Sequence, residues 1–357
     1  MTPATPGRDE AFLVTGALGC IGAWTVRALI GDGVRVVAFD VAGDARRLEL
    51  LLGPEELERV TFVRGDITSL ESVEQALDDH GITNVIHLAA LQVPFCRADP
   101  PLGALVNVVG TVNMLEAVKR RSDRIERLVY TSSMGMFDAA DADPIDGRLH
   151  VDAIAHPQNH YGVYKQANEG NARIYWQDDR VSSVGLRPMT VYGPGRDQGL
   201  TSGPTRAIAS ALLGRPFRIG FGGRMVFQYA ADVARWLIAA SRSDLTGAHV
   251  FNLGGSLVAI DDFIATVEAA APGTEGLISH EPAALPFPEE IDPAGVEALG
   301  DVAVTPLEAG IGATIDLFRG LIAAGRFVPE QHGLEPTDMA ATESQTSDRA
   351  PTPAPTA

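Results

Sequence analysis

The sequence predicts an α/β protein whose first half forms a doubly wound parallel sheet and whose later part forms a smaller α/β domain. Three observations support this prediction. Short apolar runs alternate with helical patterns through the first half, a glycine-rich segment joins the first run to the first helical pattern, and the composition changes after Arg187. A repeated strand–helix order is typical of a parallel sheet covered by helices on both faces. Right-handed crossovers then wind the sheet in both directions.

The elements of the first half are predicted from apolar periodicity and from the Gly, Pro and Asp residues at their ends. The run 11–15 is short, apolar and followed by glycine, which is typical of a buried parallel strand. In chain order, strands are expected at 11–15, 34–39, 59–63, 84–88, 127–131 and 182–186. Helices are expected at 21–30, 70–79, 106–120 and 161–177.

The later part of the chain starts with residues 188–225, which are rich in Gly, Pro and Arg. A helix is expected near 204–213, and the helix 233–241 separates two short strands at 226–229 and 249–253. We expect residues 1–187 to form the sheet domain, with 226–256 returning to it. Residues 188–225 and 257–333 then form a substrate-binding domain. The tail 334–357 has almost no large apolar side chain and is predicted to be disordered.

Composition excludes several classes of protein. The 357 residues include 46 acidic and 28 basic side chains, a formal charge of −18, which argues against nucleic-acid partners and anionic membranes. Two cysteines, Cys20 and Cys96, provide neither a disulfide framework nor a zinc cluster, so no metal site is expected. No signal peptide and no run of 18 apolar residues are found, so we expect a cytoplasmic protein.

A glycine-rich turn lies between the first strand and the first helix. Gly16, Gly19 and Gly22 permit a tight turn, close approach of the backbone to a pyrophosphate, and close packing of helix on strand. N–H groups at the start of the helix then face the anion. This pattern is the dinucleotide-binding signature of a Rossmann fold.

The end of the second predicted strand indicates which dinucleotide is bound. Asp40 can accept hydrogen bonds from a ribose diol and would repel a 2′-phosphate, which favours NAD over NADP. Arg46 and Arg47 follow closely and leave a 2′-phosphate as the alternative, although such residues are more often a solvated face.

A second group of residues follows the fifth predicted strand. Tyr161 and Lys165 are four residues apart at a helix start, so both can address one point. A tyrosine hydroxyl is a poor base at neutral pH, and a neighbouring ammonium would stabilise its phenolate. Ser133, just beyond the fifth strand, supplies a hydroxyl that can hold a substrate oxygen. These three residues are the predicted catalytic set.

At these positions the chain resembles the extended short-chain dehydrogenase/reductase family, which includes nucleotide-sugar epimerases, dehydratases and dehydrogenases. Further matches are the segments 65–67, 87–90, 107–111 and 186–194. The resemblance implies that Asp66 and Ile67 contact adenine, that Lys165 binds the nicotinamide ribose, and that Asn107 lies behind the active site. The cofactor-binding residues expected altogether are Gly16, Gly19, Cys20, Ile21, Gly22, Asp40, Asp66, Ile67, Leu88, Ala89, Ala90, Asn107, Lys165 and Pro188. His87, at a strand end, is expected to be structural.

Three departures from the family pattern bear on the substrate. Ser133 is followed by Met and Gly instead of the Asp–Glu pair of dehydratases, so dehydration is not expected. Thr190 stands where nucleotide-sugar enzymes usually carry Asn, and Met225 where they carry Arg. The neighbouring Arg224 is the predicted replacement anchor, so Ser133, Tyr161, Thr190 and Arg224 are the expected substrate-binding residues. Other arginines of the same region are Arg196, Arg206 and Arg215.

The predicted activity is NAD-dependent hydride transfer at a secondary alcohol of a sugar or nucleotide sugar, with Tyr161 as acid/base. An epimerase is favoured. A dehydrogenase of a free sugar, sugar acid or other polyol is the alternative, and a non-catalytic dinucleotide sensor is a remote one. The resemblance also implies a homodimer formed by the helices 106–120 and 161–177, with Ala167, Ala172 and Trp176 at the contact.

Overall fold

The computed structural model describes residues 10–334, so the predicted disordered tail lies, apart from Leu334, outside the described residues. The strands are β1 Ala11–Thr15, β2 Arg35–Asp40, β3 Val60–Arg64, β4 Asn84–His87, β5 Arg127–Thr131, β6 Arg148–Leu149, β7 Ser182–Arg187, β8 Thr190–Tyr192, β9 Phe217–Ile219, β10 Arg224–Tyr229, β11 Ala248–Asn252, β12 Ser256–Ala259, β13 Ile278–His280 and β14 Glu290–Ile291. The α-helices are α1 Cys20–Asp32, α2 Arg46–Leu51, α3 Pro54–Leu57, α4 Leu70–Asp79, α5 Val93–Ala98, α6 Pro100–Ala104, α7 Gly110–Lys119, α8 His160–Asp179, α9 Gly203–Leu212, α10 Ala230–Arg242, α11 Ile260–Ala270 and α12 Leu307–Ala323.

Seven parallel strands form the main sheet, in the order β11-β7-β5-β4-β1-β2-β3. The order changes direction at β1, because β2 and β3 extend to one side of it and β4, β5, β7 and β11 to the other. This is the doubly wound Rossmann arrangement, and the predicted fold class is confirmed. Ligands of such sheets bind beyond the carboxyl ends of the strands at this switch point.

Side chains of the central strands alternate between two apolar layers, as a sheet buried on both faces requires. Phe12 and Val14 of β1 pack in the layer that contains α1 and α10. Leu13 and its neighbour Ala11 pack in the opposite layer, with α4 and α7. All residues of β1, β5 and β7 are buried, so these strands form the core of the sheet.

The later part of the chain adds a three-stranded sheet in the order β12-β10-β8, in which β10 runs parallel to β8 and antiparallel to β12. Helices α9, α11 and α12 pack around it in the same apolar layer as α1. Within the predicted return segment 226–256, α10 packs on α1 and β11 joins the main sheet, whereas β10 stays in the small sheet. The two parts therefore share α10 as a common wall.

The helix predicted at 106–120 begins earlier than expected. Residues 100–119 are helical throughout, with a π-helical turn at Leu105–Val109 between α6 and α7. By length and composition alone this stretch could span a membrane. It packs on the sheet and on α8, and 44% of its most apolar window is buried in the fold. The π turn directs Asn107 inward, and such turns frequently mark functional regions.

Candidate active site

A cavity of about 850 Å³ lies at the carboxyl ends of β1, β2, β4 and β5 and continues beneath the loop that follows β8. One end is lined by the glycine turn and by the residues after β2. The other end is lined by Ser133 and Tyr161, and the segment 195–201 lines the cavity as well, with Asp197 bound to Arg47. The cavity therefore joins the predicted cofactor residues to the predicted catalytic residues.

The glycine turn has no room for side chains. Gly16 has a φ of +67°, and a Cβ added there would lie 2.6 Å from the backbone nitrogen of Ala89. A Cβ on Gly22 would collide with the carbonyl oxygen of Gly16. Helix α1 begins at Cys20, directly after Gly19, and its unpaired first-turn N–H groups suit a pyrophosphate. These features fit a dinucleotide at this end of the cavity.

Asp40 lies half-buried at the end of β2 in the cavity wall. Its carboxylate accepts hydrogen bonds from the backbone N–H groups of Leu18, at 3.1 Å, and Ala42, at 3.0 Å. Both bonds come from the chain around it, so the negative charge is fixed in place. A ribose diol can donate to its remaining lone pairs, whereas a phosphate would be repelled.

Arg46 and Arg47, which kept NADP as an alternative cofactor, are already bound to carboxylates of the chain. Arg46 pairs with Asp44 at 2.9 Å. Arg47 binds both oxygens of the buried Asp197 through Nε, at 3.1 Å each, and donates from Nη1 to the carbonyl of Leu18 at 3.0 Å. Neither guanidinium is held ready for a 2′-phosphate, so the surroundings of Asp40 favour NAD.

The remaining cofactor residues are placed in two ways. Those that line the cavity are Cys20, Ile21, Asp66, Ile67, Leu88, Ala89, Ala90, Lys165 and Pro188. Asn107 does not. Its buried side chain accepts from the N–H of Leu91 at 2.7 Å and donates to the carbonyl of Leu91 at 2.9 Å, so it clamps the loop after β4. Asn107 thus lies behind the cavity, as the resemblance implies, and a direct contact with the cofactor stays a prediction that this position does not support.

Tyr161, Ser133 and Lys165 come together at the other end of the cavity. Tyr161 and Ser133 both flank Gly135, where an added Cβ would lie 3.2 Å from Ser133 Oγ and 3.6 Å from the Tyr161 ring, and the Lys165 ammonium lies 5.6 Å from the centre of that ring. Lys165 is buried and donates to the carbonyl of Thr131 at 2.7 Å. Asn159 caps the start of α8 by accepting from the N–H of Gly162, which fixes where the helix begins.

Burial dominates the protonation behaviour of these groups. It raises the pKa of Tyr161, while the hydrogen bond with Ser133 and the positive charge of Arg196 act in the opposite direction. Burial lowers the pKa of Lys165 to about 8. A lysine poised near neutral pH beside a tyrosine is suited to proton transfer.

Glu169 supports this group and was not singled out from the sequence. Its carboxylate accepts from the hydroxyl of Ser132 at 2.5 Å and is held by Arg187 through two bonds, at 2.8 and 2.7 Å. Because Ser132 immediately precedes Ser133, this buried pair fixes the strand end that carries the serine. The signal was available, since Glu169 follows Lys165 by one helical turn.

His87 is structural, as expected from the sequence. Its two ring nitrogens lie 2.7 Å from the hydroxyl of Thr15 and 3.1 Å from that of Thr111. Burial, followed by the charge of Lys165, lowers the pKa of His87 to about 3. A neutral imidazole whose two nitrogens are both bound to buried hydroxyls inside the core is not placed to exchange a proton with a substrate.

The two predicted substrate residues Thr190 and Arg224 differ in whether they line the cavity. Thr190 lines the cavity, but its hydroxyl lies 3.2 Å from the sulfur of the buried Met225. Arg224 is exposed at the first position of β10 and does not line the cavity. Its selection as the anchor is corrected by the alternation along the strand, which turns Met225 inward and Arg224 outward. Arg196 lines the cavity instead.

Comparison with known proteins decides the family. The model of the NAD dependent epimerase/dehydratase family matches residues 12–254. The chain belongs to this family. A UDP-glucose 4-epimerase from Mycolicibacterium smegmatis is 30% identical over 316 residues, which make up 86% of this chain and 98% of that relative. A UDP-glucuronate 4-epimerase from Thermodesulfobacterium geofontis is 29% identical over 258 residues, 68% of this chain and 75% of that relative.

Solved structures of the family agree with these relatives. The Thermus thermophilus UDP-glucose 4-epimerase in complex with NAD superimposes with a TM-score of 0.72 at 27% identity, covering 87% of this chain and 99% of that one. The resemblance noted in the sequence is confirmed, as is the choice of NAD as cofactor. The protein is an NAD-dependent enzyme of the extended short-chain dehydrogenase/reductase type.

Proposed function

We propose that this enzyme epimerises a secondary alcohol of a sugar or nucleotide sugar by hydride transfer, with Tyr161 as acid/base. The observation that carries the proposal is that Tyr161, Ser133 and Lys165 meet in the same cavity as the glycine turn. Relatives named as UDP-glucose and UDP-glucuronate 4-epimerases support the choice of an epimerase.

The residues divide the work as follows. The Ser133 hydroxyl holds the substrate oxygen next to Tyr161, and the Tyr161 phenolate takes the hydroxyl proton. The buried Lys165 ammonium stabilises that phenolate by its positive charge. Bound NAD supplies a hydride acceptor and, once reduced, a hydride donor. If the ketone turns over in the cavity before hydride and proton are returned, the configuration of the carbon is inverted.

A dehydrogenase of a free sugar, sugar acid or other polyol is the second candidate. The contact between Thr190 and Met225 favours it. The resemblance implies polar nucleotide anchors at these two positions, and here they form a hydroxyl–thioether pair buried against each other. A ketone product that leaves the cavity gives net oxidation and leaves NADH behind.

Incubation with NAD and a panel of sugars and nucleotide sugars distinguishes the candidates. Product NMR without lasting absorbance at the NADH wavelength identifies an epimerase, whereas stoichiometric NADH identifies a dehydrogenase. Absence of both reactions across the panel would contradict the proposed function. Both readouts are needed because Tyr161 removes the same hydroxyl proton in both reactions, so only the fate of the ketone and of NADH distinguishes them.

We further propose that the enzyme is a cytoplasmic homodimer formed through α6, α7 and α8. Large apolar side chains are exposed on or between these helices at Val109, Val163 and Ile174, whereas the exposed Leu102 and Leu105 line the cavity. Such a patch suits an isologous contact. Ala172 is buried within the chain and is not part of it, whereas Ala167 and Trp176 are half-buried. We expect light scattering to give the mass of two chains at micromolar concentration, and a mass of one chain would contradict the dimer.

A further inference from the structure

A second cavity lies beside the first, between α2, the loop after β8 and the segment that follows α12. Its volume is about 210 Å³, far above the roughly 15 Å³ that admits one water molecule, so it has room for a small polyatomic ligand. Arg46, Arg47 and Asp197 line both cavities and therefore form a wall that the two share. Arg326 and His332 line the second cavity and not the first.

Positive charge exceeds negative charge around this second cavity. Among the residues that the structure describes, three guanidinium groups and two carboxylates line it. The imidazole of His332 adds no charge at neutral pH, because burial lowers the pKa of His332 to about 4. Asp197 is held by Arg47 through two bonds of 3.1 Å, so its charge is already paired within the wall. In a protein with 46 acidic and 28 basic residues, a net positive cavity is suited to an anion.

Three donor groups of this cavity have capacity left for a ligand. The Nε of Arg46 is buried and has no hydrogen-bond partner within residues 10–334. Over the same range Arg326 has no carboxylate within 4.0 Å, and it donates to the backbone carbonyl of Glu49 at 3.3 Å. His332 is 9% exposed and stacks on Phe327 with the ring centres 4.2 Å apart, and neither of its nitrogens has a hydrogen-bond partner in the described chain. Polar groups left in this way are costly to bury unless a ligand pairs with them.

A phosphate group suits this set of donors. Its oxygens accept hydrogen bonds from guanidinium and imidazole N–H groups, and its charge offsets the excess positive charge. The donors come from three separate segments around one cavity, namely α2, the turn after α12 and the last described turn of the chain. An oxyanion with several acceptor oxygens can pair with all three at once, which a neutral ligand of the same size does not do as favourably.

The shared wall connects this cavity to the cofactor end of the first one. Arg47 donates from Nη1 to the carbonyl of Leu18 in the glycine turn, and the N–H of Leu18 donates to Asp40. An anion in the second cavity adds negative charge beside Arg46 and Arg47, so it lowers the positive potential that a phosphate-bearing cofactor meets. Binding at two sites coupled in this way is affected reciprocally.

We propose that the second cavity is a regulatory site for a small phosphate ligand, either inorganic phosphate or a phosphomonoester. Arg46, Arg326 and His332 bind the ligand, and its charge weakens the binding of NAD. The site is separate from Tyr161, so it does not depend on which sugar is turned over.

Calorimetric titration of inorganic phosphate and of glycerol 3-phosphate into the full chain tests the site. NAD is present in excess, so that the glycine turn is occupied, and chloride keeps the ionic strength constant. We expect saturable binding of one ligand per chain, and the tighter of the two ligands identifies the source of the phosphate group. Arg326→Gln and His332→Phe should each weaken binding by roughly tenfold or more, the effect of one hydrogen bond to a charged group.

The variants are chosen to separate this site from the first cavity. Arg326 is exposed, and His332→Phe keeps a ring against Phe327 while removing both nitrogens. The matched control is Arg319→Gln, which removes an exposed arginine of α12 that lines neither cavity and should bind phosphate as the wild type does. No binding of either ligand by the wild type, or equal binding by the wild type and both cavity variants, would overturn the site.

The regulatory role is tested by the affinity for NAD with and without phosphate at constant ionic strength. We expect phosphate to raise the Kd of NAD by roughly fivefold or more in the wild type, within the usual range of coupling between sites. The same phosphate concentration should have a smaller effect in Arg326→Gln. An unchanged Kd of NAD in the wild type would overturn the regulatory role. None of these measurements uses turnover, so their failure leaves the proposed function intact.

Discussion

The two ends of the cavity are built differently. At the cofactor end, the shape is set by backbone that only glycine can form, and the charged groups are paired within the chain, as Arg47 is with Asp197. At the substrate end, Arg196 and Gln92 keep buried polar atoms without partners. The comparison indicates that the backbone shape of the cofactor end is fixed within the chain, whereas several buried polar atoms of the cavity wall, Nε of Arg46 among them, have no hydrogen-bond partner in the described residues.

The largest expected effect comes from the group that joins the two ends. Tyr161→Phe removes the acid/base hydroxyl and should lower turnover by roughly a hundredfold or more, the usual contribution of such proton transfer. NAD affinity should change little, because a phenol is replaced by a phenyl ring of the same shape. Steady-state kinetics and calorimetric titration measure the two quantities.

Tyr164→Phe is the matched control, because Tyr164 is one helical turn from Tyr161 and donates to the carbonyl of Pro100 at 2.8 Å outside the cavity. It should retain turnover. Wild-type turnover in Tyr161→Phe would refute the assignment of the acid/base, and loss of turnover in both variants would show that the packing of α8 is responsible.

The difference between the ends also explains what the sequence could predict. The glycine turn, Asp40 and the Tyr161–Lys165 spacing are local patterns, and local patterns are legible in a single sequence. Arg196, Gln92 and Glu169 act through contacts between separate segments, and no local pattern marks the first two. Arg224 was chosen over Arg196 because sequence proximity to a family position does not reveal which way a strand residue points.

The fold was predictable because it also follows from local sequence patterns. The differences between the predicted and the observed elements are confined to where individual elements begin and end. The main strands lie within about two residues of their predicted ends, as is usual for such boundaries. The helix containing Asn107 starts early because Asp99 caps a new turn at Pro100, where Tyr164 and α8 pack against it. That packing is a tertiary effect, which periodicity alone does not report.

A second prediction concerns the glycine turn at the cofactor end, where a substitution adds one methyl group. Gly22→Ala places a Cβ against the carbonyl of Gly16, so the backbone must move. We expect a loss of about 1–3 kcal/mol in stability, typical of overpacking, together with weaker NAD binding because the turn no longer approaches the pyrophosphate.

Gly31→Ala controls for the substitution itself. Gly31 lies in the same helix, is exposed, and has nothing within 4 Å of an added Cβ. Helix propensity should make this variant more stable by up to about 1 kcal/mol, with NAD binding unchanged. Equal thermal unfolding temperatures for Gly22→Ala and Gly31→Ala would contradict the close approach of Gly22 to the carbonyl of Gly16.

A third prediction tests how firmly the cofactor end selects its ligand. The fixed charge of Asp40 and the engaged Arg46 and Arg47 should make NAD bind at least tenfold tighter than NADP, about 1.4 kcal/mol. Asp40→Asn should narrow this gap because the charge is lost, although the amide oxygen can accept only one of the two backbone hydrogen bonds, which go to different oxygens of Asp40. Tighter binding of NADP by the wild type in calorimetric titration would mean that the arginines exchange their carboxylates for the phosphate.

The smallest expected effect concerns Lys165, which is fully buried, lies between the two ends and has a carbonyl as its hydrogen-bond partner. Burial lowers its pKa to about 8, against about 10.4 for an unfolded lysine. Between these values the folded protein holds fewer protons than the unfolded chain, so wild-type stability rises with pH. Relative to Lys165→Met, which cannot titrate, the wild type should gain about 1 kcal/mol of unfolding free energy between pH 7 and pH 9. Lys119→Met, which removes an exposed lysine paired with Asp179, should show a constant difference over the same range. Denaturant unfolding at several pH values measures both series, and a constant difference for Lys165→Met would mean that this ammonium is solvated and that the two ends are separated by water.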